Sequence, residues 1–351
     1  MNLIPTFVLG GTGYVAGELL RLIAQHPQLE LAGVLSESRA GAQINDVFPQ
    51  LQNTFGTQTF STREQLFDQL PAGPVALFSA APHGASADVV AQFLAKGAER
   101  GSQLTVVDVS ADFRYSSAAA YEAVYGQPHG APHLLKQFAC AVPEHLAATD
   151  KPHIGHPGCF ATALLMATVP LTKLGLIDGG LHAVGITGST GSGRSPSAGT
   201  HHPERHGNLY AYKPLEHRHA PEVVGVCESL TGTRPSLHFI PHSGPFARGI
   251  HVTIQARLKD SLHTDDLRSA LAKFYADQPF VQVRDGTPRI KDVAGSNACH
   301  LGVATDADSL AVFVVIDNLV KGAAGGAVQW MNRQLGIPET TGLQSPALAW
   351  I

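Results

Sequence analysis

The sequence predicts an α/β protein with two domains: one built on a parallel sheet, and a second α+β domain with a mixed or antiparallel sheet. In the first third of the chain, short buried-strand patterns alternate with helical spacings, as in a parallel sheet covered on both faces. The strands fall at 6–9, 30–35, 75–79 and 104–110, and the helices at 14–25 and 85–94. Residues 249–258 instead alternate strictly between apolar and polar side chains, which predicts an antiparallel strand with one solvated face.

Further elements extend the second domain. The spacing predicts a helix over about 264–276, strands at 301–305 and 310–316, and a late helix at 322–335. The chain has 351 residues, more than one typical domain contains, so two domains are expected. A break in the pattern at Asp150-Lys151-Pro152 places the boundary near 150–158, and we assign the domains to 1–156 and 157–321.

Composition and charge exclude several functional classes. The formal net charge is −4 and no long basic run occurs, so electrostatic binding to nucleic acid or to an anionic membrane is not expected. The chain has no stretch of about 18 apolar residues to span a bilayer, and its N-terminus lacks a secretory signal. The four cysteines form neither a C-x-x-C pair nor a disulfide framework, which favours a reducing compartment. We therefore expect a cytoplasmic protein.

A glycine-rich turn follows the first predicted strand and opens the first helix. Gly11-x-Gly13-x-x-Ala16 matches the G-x-G-x-x-A form of the dinucleotide fingerprint, in the strand–turn–helix context that this motif requires. Glycines let the backbone approach a pyrophosphate, and the helix N-terminus offers N–H donors and a positive dipole end. The first domain is therefore predicted to be of Rossmann type. Its predicted cofactor contacts are Gly10, Thr12, Gly13, Tyr14 and Val15.

The end of the second strand indicates which dinucleotide binds. NAD enzymes usually place an acidic residue there for the ribose 2′-OH. This sequence has Ser36, Ser38 and Arg39, and two hydroxyls with a guanidinium suit a 2′-phosphate. We therefore predict NADP, while Glu37 leaves NAD open as the alternative.

Cys159 is the candidate nucleophile. The Pro157-Gly158 turn places it at the start of an apolar helix, where the helix N-terminus favours a thiolate. The same N–H groups would hold an oxyanion formed on a carbonyl bonded to the sulfur. The opposing interpretation is a small buried core residue, which is the usual role of cysteine. The other three cysteines lack this setting.

A histidine cluster supplies candidate partners for this thiol. His217 and His219 share one side if their segment is extended, and a nucleophilic cysteine usually exchanges its proton with histidine. A zinc site and a solvated loop are the alternatives. No thiolate pair and no H-E-x-x-H spacing supports the metal, so none is predicted. A zinc site would draw on His201, His202, His206, His217 and His219.

Residues 188–199 form a glycine- and hydroxyl-rich loop whose backbone N–H groups suit a cofactor or a phosphate. The predicted cofactor contacts in this loop are Ser189, Gly191, Ser192 and Gly193. The loop lacks a Walker lysine, and no G-x-S-x-G elbow occurs in the chain. A P-loop kinase and an α/β-hydrolase are therefore not supported.

Several widely spaced motifs occur in order along nearly the whole chain. They are Gly10-Gly-Thr-Gly-Tyr-Val-Ala-Gly, Ala81-Pro-His-Gly, Asp108-Val-Ser-Ala-Asp-Phe-Arg114, Val142-Pro-Glu144, His156-Pro-Gly-Cys-Phe-Ala-Thr-Ala163, Gly188-Ser-Thr-Gly-Ser-Gly-Arg194, His217-Arg-His-Ala-Pro-Glu222, Arg248-Gly-Ile250 and Asp317-Asn-Leu-Val-Lys-Gly-Ala-Ala-Gly325. With this combination the chain resembles the N-acetyl-gamma-glutamyl-phosphate reductases of arginine biosynthesis.

The resemblance implies an NADP-dependent oxidoreductase that converts N-acetyl-L-glutamyl 5-phosphate to N-acetyl-L-glutamate 5-semialdehyde and phosphate. It implies Cys159 as the nucleophile that forms a thioester, and His219 as the acid/base that supplies a proton. It also implies a homo-oligomer, a dimer or a tetramer, and a C-terminal helix of about 322–351 that packs back on the nucleotide domain. We add Asn318 as a cofactor contact. The candidate substrate contacts are Arg114, Arg194, His217 and Glu222.

One segment departs from this pattern. Residues 200–210, Thr-His-His-Pro-Glu-Arg-His-Gly-Asn-Leu-Tyr, look more like the lysine-pathway relative, which reduces a carrier-protein-bound aminoadipyl phosphate. The alternatives are therefore a carrier-protein-linked aminoadipyl- or glutamyl-phosphate reductase of lysine or arginine biosynthesis, an aspartate-semialdehyde dehydrogenase, and an NADP-sensing regulatory protein without catalysis. In the carrier alternative, Arg205 either meets an acidic carrier protein or faces solvent.

Overall fold

The computed structural model describes residues 3–350. The strands of the first sheet are β1 (Ile4–Leu9), β2 (Leu29–Val34), β3 (Gly73–Ser79), β4 (Ser102–Asp108), β5 (Phe138–Ala139) and β6 (His153–Gly155). The helices before residue 150 are α1 (Tyr14–Ala24), α2 (Ile44–Val47), α3 (Arg63–Gln69), α4 (Ser86–Arg100) and α5 (Ala118–Tyr125). The four strands and two helices predicted for this part of the chain are all present. Their ends differ from the predicted ones by at most two residues, except that α4 extends six residues beyond the predicted end at 94.

The first sheet is parallel throughout and has the order β2-β1-β3-β4-β6-β5. The chain leaves β1 toward β2 on one side and returns to β3 on the other, so the strand order reverses between β1 and β3. In open α/β sheets ligands bind outside the carboxyl ends of the strands at this switch point. The glycine-rich turn after Leu9 lies at this position, and the predicted Rossmann-type fold is confirmed.

Two of the sequence motifs meet beside this sheet. The Asp112 carboxylate accepts the backbone N–H groups of Gly84 (2.8 Å) and Ala87 (2.9 Å), at the start of α4. The backbone N–H of Ala111 donates to the His83 ring. The buried Asp108 carboxyl lies under the same turn, and burial raises its pKa to about 6 against the lowering effect of bonds from Ser110 and Ser86. The Ala81 and Asp108 motifs therefore form one structural unit.

The second half of the chain builds a mixed seven-stranded sheet. Its strands are β7 (Ile177–Thr187), β8 (Tyr210–Ala211), β9 (Leu237–Ser243), β10 (Ile250–Leu258), β11 (Val281–Val283), β12 (Cys299–Asp306) and β13 (Ser309–Ile316), in the order β11-β12-β13-β10-β7-β9-β8. The remaining helices are α6 (Cys159–Lys173), α7 (His202–Arg205), α8 (His219–Thr231), α9 (Thr264–Phe274) and α10 (Gly325–Gln334). The predicted α+β domain is confirmed, and β10 alternates between buried and more exposed side chains as expected.

Helix α6 is the core of this half of the chain. From Phe160 to Leu171 every side chain is buried, and the helix packs against β10, β13 and β7. Gly185 of β7 leaves room for the Phe160 ring, since a Cβ there would lie 2.5 Å from it. The sheet face toward α6 is thus closed, whereas the opposite face carries the half-buried and exposed alternate positions of the same strands.

The described chain forms two compact units. The first contains the chain up to Ala141 together with Ala148–His156 and Ala324–Gln344. The second contains Val142–Ala147, Pro157–Ala323 and the chain from Ser345 onward. The predicted division at 156/157 did not anticipate that Val142–Ala147 belongs to the second unit.

Helix α10 belongs to the first unit and packs on β4 and α1. The Trp330 indole N–H donates to the main-chain oxygen of Ala141 at 2.8 Å, and Asn332 Oδ1 lies 3.0 Å from His26 Nε2. Directly before α10, residues Val320–Ala324 form a π-helix. The single late helix expected at 322–335 is therefore two consecutive elements. Among residues 3–350, no helix combines the length and apolar character needed to cross a bilayer.

The π-helix is anchored in the second unit by a buried ion pair. Lys321 Nζ lies 2.5 Å from Glu144 Oε1, and both side chains are 0% exposed. The ammonium group also lies over the Phe280 ring, 5.7 Å from its centroid. Removing the two charges from water costs several kcal/mol per ion. The attraction between Lys321 and Glu144 offsets this desolvation cost, so each charge depends on the other.

We expect Lys321→Met to lower the free energy of unfolding by about 3–5 kcal/mol, because it leaves the Glu144 charge buried without its counter-ion. The double variant Lys321→Met/Glu144→Gln should recover most of that loss. Lys96→Met, which breaks the exposed Lys96–Glu99 pair, should cost no more than about 0.5 kcal/mol. Urea titrations of the four proteins measure these differences, and equal losses in the single and double variants would contradict the argument.

Candidate active site

Cys159 is the first residue of α6 and is half-buried. The N-cap residue Gly158 has no side chain to cap the helix, and the first turn contains no acidic residue. The backbone N–H groups of this turn and the positive end of the helix dipole therefore remain available to a negative charge. The predicted helix start at Cys159 is confirmed, and the setting is the one that activates a thiol.

Glu222 connects this helix start to α8. Its buried carboxylate accepts the backbone N–H of Gly158 at 2.7 Å, directly before Cys159. Glu222 lies one turn after His219, which is the first residue of α8. The N-termini of α6 and α8 are therefore held together, and with them Cys159 and His219. Glu222 was predicted as a substrate contact, and the structure shows it bonded to the backbone beside Cys159.

His217 and His219 pack against the residue that follows Cys159. Their ring centroids are 4.7 Å apart and lie 5.9 Å and 6.4 Å from the Phe160 ring. The segment is not the extended strand that would align them; instead the backbone N–H of His219 donates to His217 Nδ1 as α8 begins. Burial lowers the pKa of His217 to about 4, with help from the charges of Arg218 and Lys213. His217 is therefore neutral at any pH well above 4.

Tyr212 belongs to the same surroundings and was not singled out from the sequence. Burial raises the pKa of its phenol, and the nearby Cys159 sulfur adds to the effect. Burial likewise raises the pKa of the Cys227 and Cys299 thiols, which are fully covered. The four cysteines form no disulfide. Of these two buried thiols and Cys159, only Cys159 has access to solvent.

The π-helix lies against the back of Cys159. A Cβ built on Gly322 would lie 2.9 Å from Cys159 Cβ, so only glycine allows this approach. The Gly322 backbone N–H donates to the main-chain oxygen of Asp317 at 2.9 Å. The Asp317 carboxylate, itself 0% exposed, pairs with Arg248 at 3.0 Å. It also accepts, at 2.6 to 2.9 Å, the backbone N–H groups of Gly295, Leu319 and Val320.

The predicted glycine loop joins this network through Asn318. Asn318 Oδ1 accepts the backbone N–H of Gly249, and its Nδ2 donates to Thr190 Oγ1. Ser189–Ser192 form a 3-10 turn that ends at Gly193, with Gly191, Ser192 and Gly193 exposed. The structure thus brings the predicted loop residues next to Asn318. Their role as cofactor contacts stays a prediction.

In the first unit, the glycine turn has the shape that a pyrophosphate requires. Gly10 has φ +74°, and a Cβ there would lie 2.5 Å from the backbone that follows β3. Gly13 is the N-cap of α1, has open space where a Cβ would be, and gives α1 no side-chain cap. The first turn, which begins with Tyr14 and Val15, contains no acidic residue. Backbone donors and space for an anion therefore coincide at this end of α1.

The residues after β2 favour the ribose 2′-phosphate of NADP over the 2′-hydroxyl of NAD. Ser36 is buried, whereas Ser38 and Arg39 are exposed. The Glu37 carboxylate accepts the backbone N–H of Arg63 at 3.2 Å and lies 3.9 Å from its guanidinium. The one acidic residue in the segment is thus engaged by a cation. Arg63 is a second positive group beside this segment that the sequence did not reveal, because it comes from α3.

The other two predicted anion contacts belong to different units. Arg114, in the first unit, is buried and donates to the main-chain oxygens of His156 and Val109, both at 2.8 Å. It therefore holds the segment that leads into Cys159. Arg194, in the second unit, is exposed. Among residues 3–350, no group of three or more His, Cys, Asp or Glu side chains is placed to hold a metal ion.

Two family models match the chain. Residues 6–138 match the NAD-binding domain of semialdehyde dehydrogenases, and residues 159–318 match the semialdehyde dehydrogenase dimerisation domain. The N-acetyl-gamma-glutamyl-phosphate reductase of Ectopseudomonas mendocina is 39% identical over 353 residues, which is 99% of this chain and 99% of that protein. The enzyme of the same name from Azotobacter vinelandii is 38% identical over 97% of this chain and 98% of its own.

Solved structures agree on the fold. Aspartate semialdehyde dehydrogenase II from Vibrio cholerae superposes with a TM-score of 0.69, at 15% identity, over 96% of this chain and 99% of that one. The enzyme from Candida albicans, solved with NADP, gives a TM-score of 0.64 at 17% identity, over 93% of this chain and 97% of its own. The likeness extends over both units.

Proposed function

Because the chain belongs to the N-acetyl-gamma-glutamyl-phosphate reductase family, we propose that it reduces N-acetyl-L-glutamyl 5-phosphate to N-acetyl-L-glutamate 5-semialdehyde and phosphate, as a step of arginine biosynthesis. The observation that carries the mechanism is the start of α6, where Cys159 meets uncapped N–H groups and two imidazoles pack against the next residue. This setting suits an acyl transfer through sulfur.

In the proposed reaction, Cys159 passes its proton to His219 and its sulfur attacks the acyl carbon. A C–S bond forms, the C–O bond to phosphate breaks, and His219 returns the proton to the departing phosphate. The N–H groups at the start of α6 stabilise the oxyanion of each tetrahedral intermediate. Bound NADPH supplies the hydride that reduces the thioester. The thiohemiacetal anion then collapses to aldehyde and Cys159 thiolate, which takes up one proton from water through His219.

Cys159→Ser should reduce turnover at least about a thousandfold, because a serine hydroxyl at this position lacks the nucleophilicity of a thiolate. NADPH affinity, measured by fluorescence titration, should not change. Cys140→Ser serves as the matched control and should keep full activity, since Cys140 follows the edge strand β5 and belongs neither to the glycine turn nor to the start of α6.

Assays in the reverse direction also separate the alternatives. N-acetylglutamate semialdehyde, free aspartate semialdehyde and carrier-linked semialdehyde are each supplied with phosphate and NADP. Turnover of the second or third without the first would overturn the substrate assignment. No turnover with any of them, together with slow alkylation of Cys159 by iodoacetamide, would favour the NADP-sensing regulatory alternative.

The proposed cofactor is NADP, held at its pyrophosphate by the turn from Gly10 to Val15 and at its 2′-phosphate by Ser36, Ser38 and Arg39. Arg39 is exposed and has no carboxylate within ion-pair distance among the described residues, so its charge is available to a phosphate. Engagement of Glu37 by Arg63 removes the acidic group that an NAD enzyme would use.

Arg39→Ala should raise the KM for NADPH about tenfold or more, the typical effect of losing a charged hydrogen bond, and leave the KM for NADH unchanged. Lys96→Gln, an exposed change in the same unit, is the control and should alter neither value. Equal increases for both cofactors would mean that Arg39 does not contact the 2′-phosphate.

The proposed assembly is a homo-oligomer built on the face of the mixed sheet opposite α6. Residues 159–318 match a family model described as a dimerisation domain. This face presents Val184, which is 41% exposed, beside the half-buried Ile240 and Phe313. Four thiols without a disulfide are consistent with the proposed cytoplasmic location.

Val184→Asp should shift the protein toward a monomer in sedimentation velocity, because a carboxylate would be buried in the apolar contact. Leu174→Asp provides the matched control: Leu174 is 42% exposed but lies at the end of α6, away from this face. A wild-type protein that sediments as a single chain would rule the assembly out.

A further inference from the structure

The segment from Gly191 to His219 exposes almost all of its residues. Thr200 and Tyr212 are half-buried, and the charged side chains of the segment other than Arg205 are exposed. Three residues of the segment are buried: Arg205 with 8% exposure, His217 with 8% and His219 with 6%. A surface loop that inserts an arginine together with two histidines is unusual, since arginine is almost never buried without a partner.

Arg205 has no acidic partner. Its Nη1 donates to the main-chain oxygen of Asn208 at 3.2 Å, and its Nη2 to that of Phe246 at 3.5 Å. The Nε atom is buried without any hydrogen bond, and among residues 3–350 no carboxylate lies within ion-pair distance of the guanidinium. By contrast, the partly covered Arg248 and Arg333 are paired with Asp317 and Glu339.

The positive charge of this buried guanidinium is not neutralised by any acidic group among the described residues. Two carbonyl oxygens fix its plane but supply no full negative charge, and further N–H donors remain without an acceptor. An oxyanion would satisfy the charge and the donors together, through the bidentate geometry that arginine offers to carboxylates and phosphates.

The position of Arg205 relates it to the functional loops. The Phe246 oxygen that accepts its Nη2 also accepts the backbone N–H of Ser189 at 2.9 Å. Arg205 therefore lies at the base of the Ser189–Ser192 turn, which Asn318 ties to the network behind Cys159. Along the chain it is carried by the segment that ends in His217 and His219.

We propose that Arg205 binds an oxyanion of the substrate, either its carboxylate or its phosphoryl group, and so sets the class of acyl phosphate that the enzyme accepts. This inference rests on the proposed function for the identity of the substrate. It also replaces the expectation that Arg205 faces solvent, because the side chain is only 8% exposed. Contact of this residue with an acidic carrier protein stays a prediction.

The test is Arg205→Gln, with Arg205→Lys as the conservative variant and Arg234→Gln as the matched control. Arg234 lies in the same unit, is 66% exposed and pairs with Glu228. The reverse reaction separates the two oxyanions, because phosphate and N-acetylglutamate semialdehyde enter as different molecules. Arg205→Gln should raise one of these two KM values about 10- to 100-fold, corresponding to a lost charged hydrogen bond, and leave the KM for NADP unchanged. Arg205→Lys should lie between the wild type and Arg205→Gln.

Thermal melting supplies a readout that needs no turnover. Inorganic phosphate or N-acetylglutamate should raise the Tm of the wild type and of Arg234→Gln, and that increase should be lost in Arg205→Gln. Unchanged KM values and an unchanged increase in Tm would overturn the role of Arg205. If the wild type turns over no acyl phosphate yet still shows the Arg205-dependent increase in Tm, the proposed function fails while the anion site stands.

Discussion

The buried carboxylate of Asp317 is the constraint on which the functional loops of the second unit depend. It gathers three backbone N–H groups and the Arg248 guanidinium, while the main-chain oxygen of the same residue takes the N–H of Gly322. One residue thus fixes the entry into the π-helix that backs Cys159 and the start of the strand that follows Arg248. Without that carboxylate several buried donors would lose their acceptor together, at a cost of about 1–3 kcal/mol each. The contact between Gly322 and Cys159 therefore rests on a network of hydrogen bonds centred on Asp317.

The features that the sequence predicts well are those encoded locally. The turn at Gly13 lies between a short buried strand and an amphipathic helix, so neighbouring residues alone identify it. Cys159 follows a Pro-Gly turn and precedes a long apolar run, which defines a helix start without tertiary information. Strand β10 alternates because one face packs on α6 and the other does not. In each case the local pattern and the final packing agree, which is typical of natural sequences.

The features that the sequence does not predict depend on distant partners. Strand β7 has a weak apolar signal because Gly185 must leave space for Phe160, a residue of another element. Glu222 gives no sign in the sequence that it will accept the Gly158 N–H, 64 positions earlier. The burial of Arg205 is also unexpected from the polar composition of its loop, since a polar loop ordinarily exposes arginine. Such conflicts between local preference and observed structure are expected to concentrate at functional sites.

Burial separates reactive from inert groups among residues of the same type. Cys299 and Cys227 are enclosed, and a buried thiol resists ionisation because the thiolate would lose its hydration. His145 is half-buried, and desolvation of its ring lowers the pKa of the imidazole to about 3, so it remains neutral and bonds to Tyr275. Cys159 differs because it is half-buried at an uncapped helix start. The backbone N–H groups of such a helix start can replace the hydration that a thiolate loses on partial burial. The chemistry assigned to Cys159 therefore follows from its position on the fold, and residue type alone would not distinguish it from the other thiols.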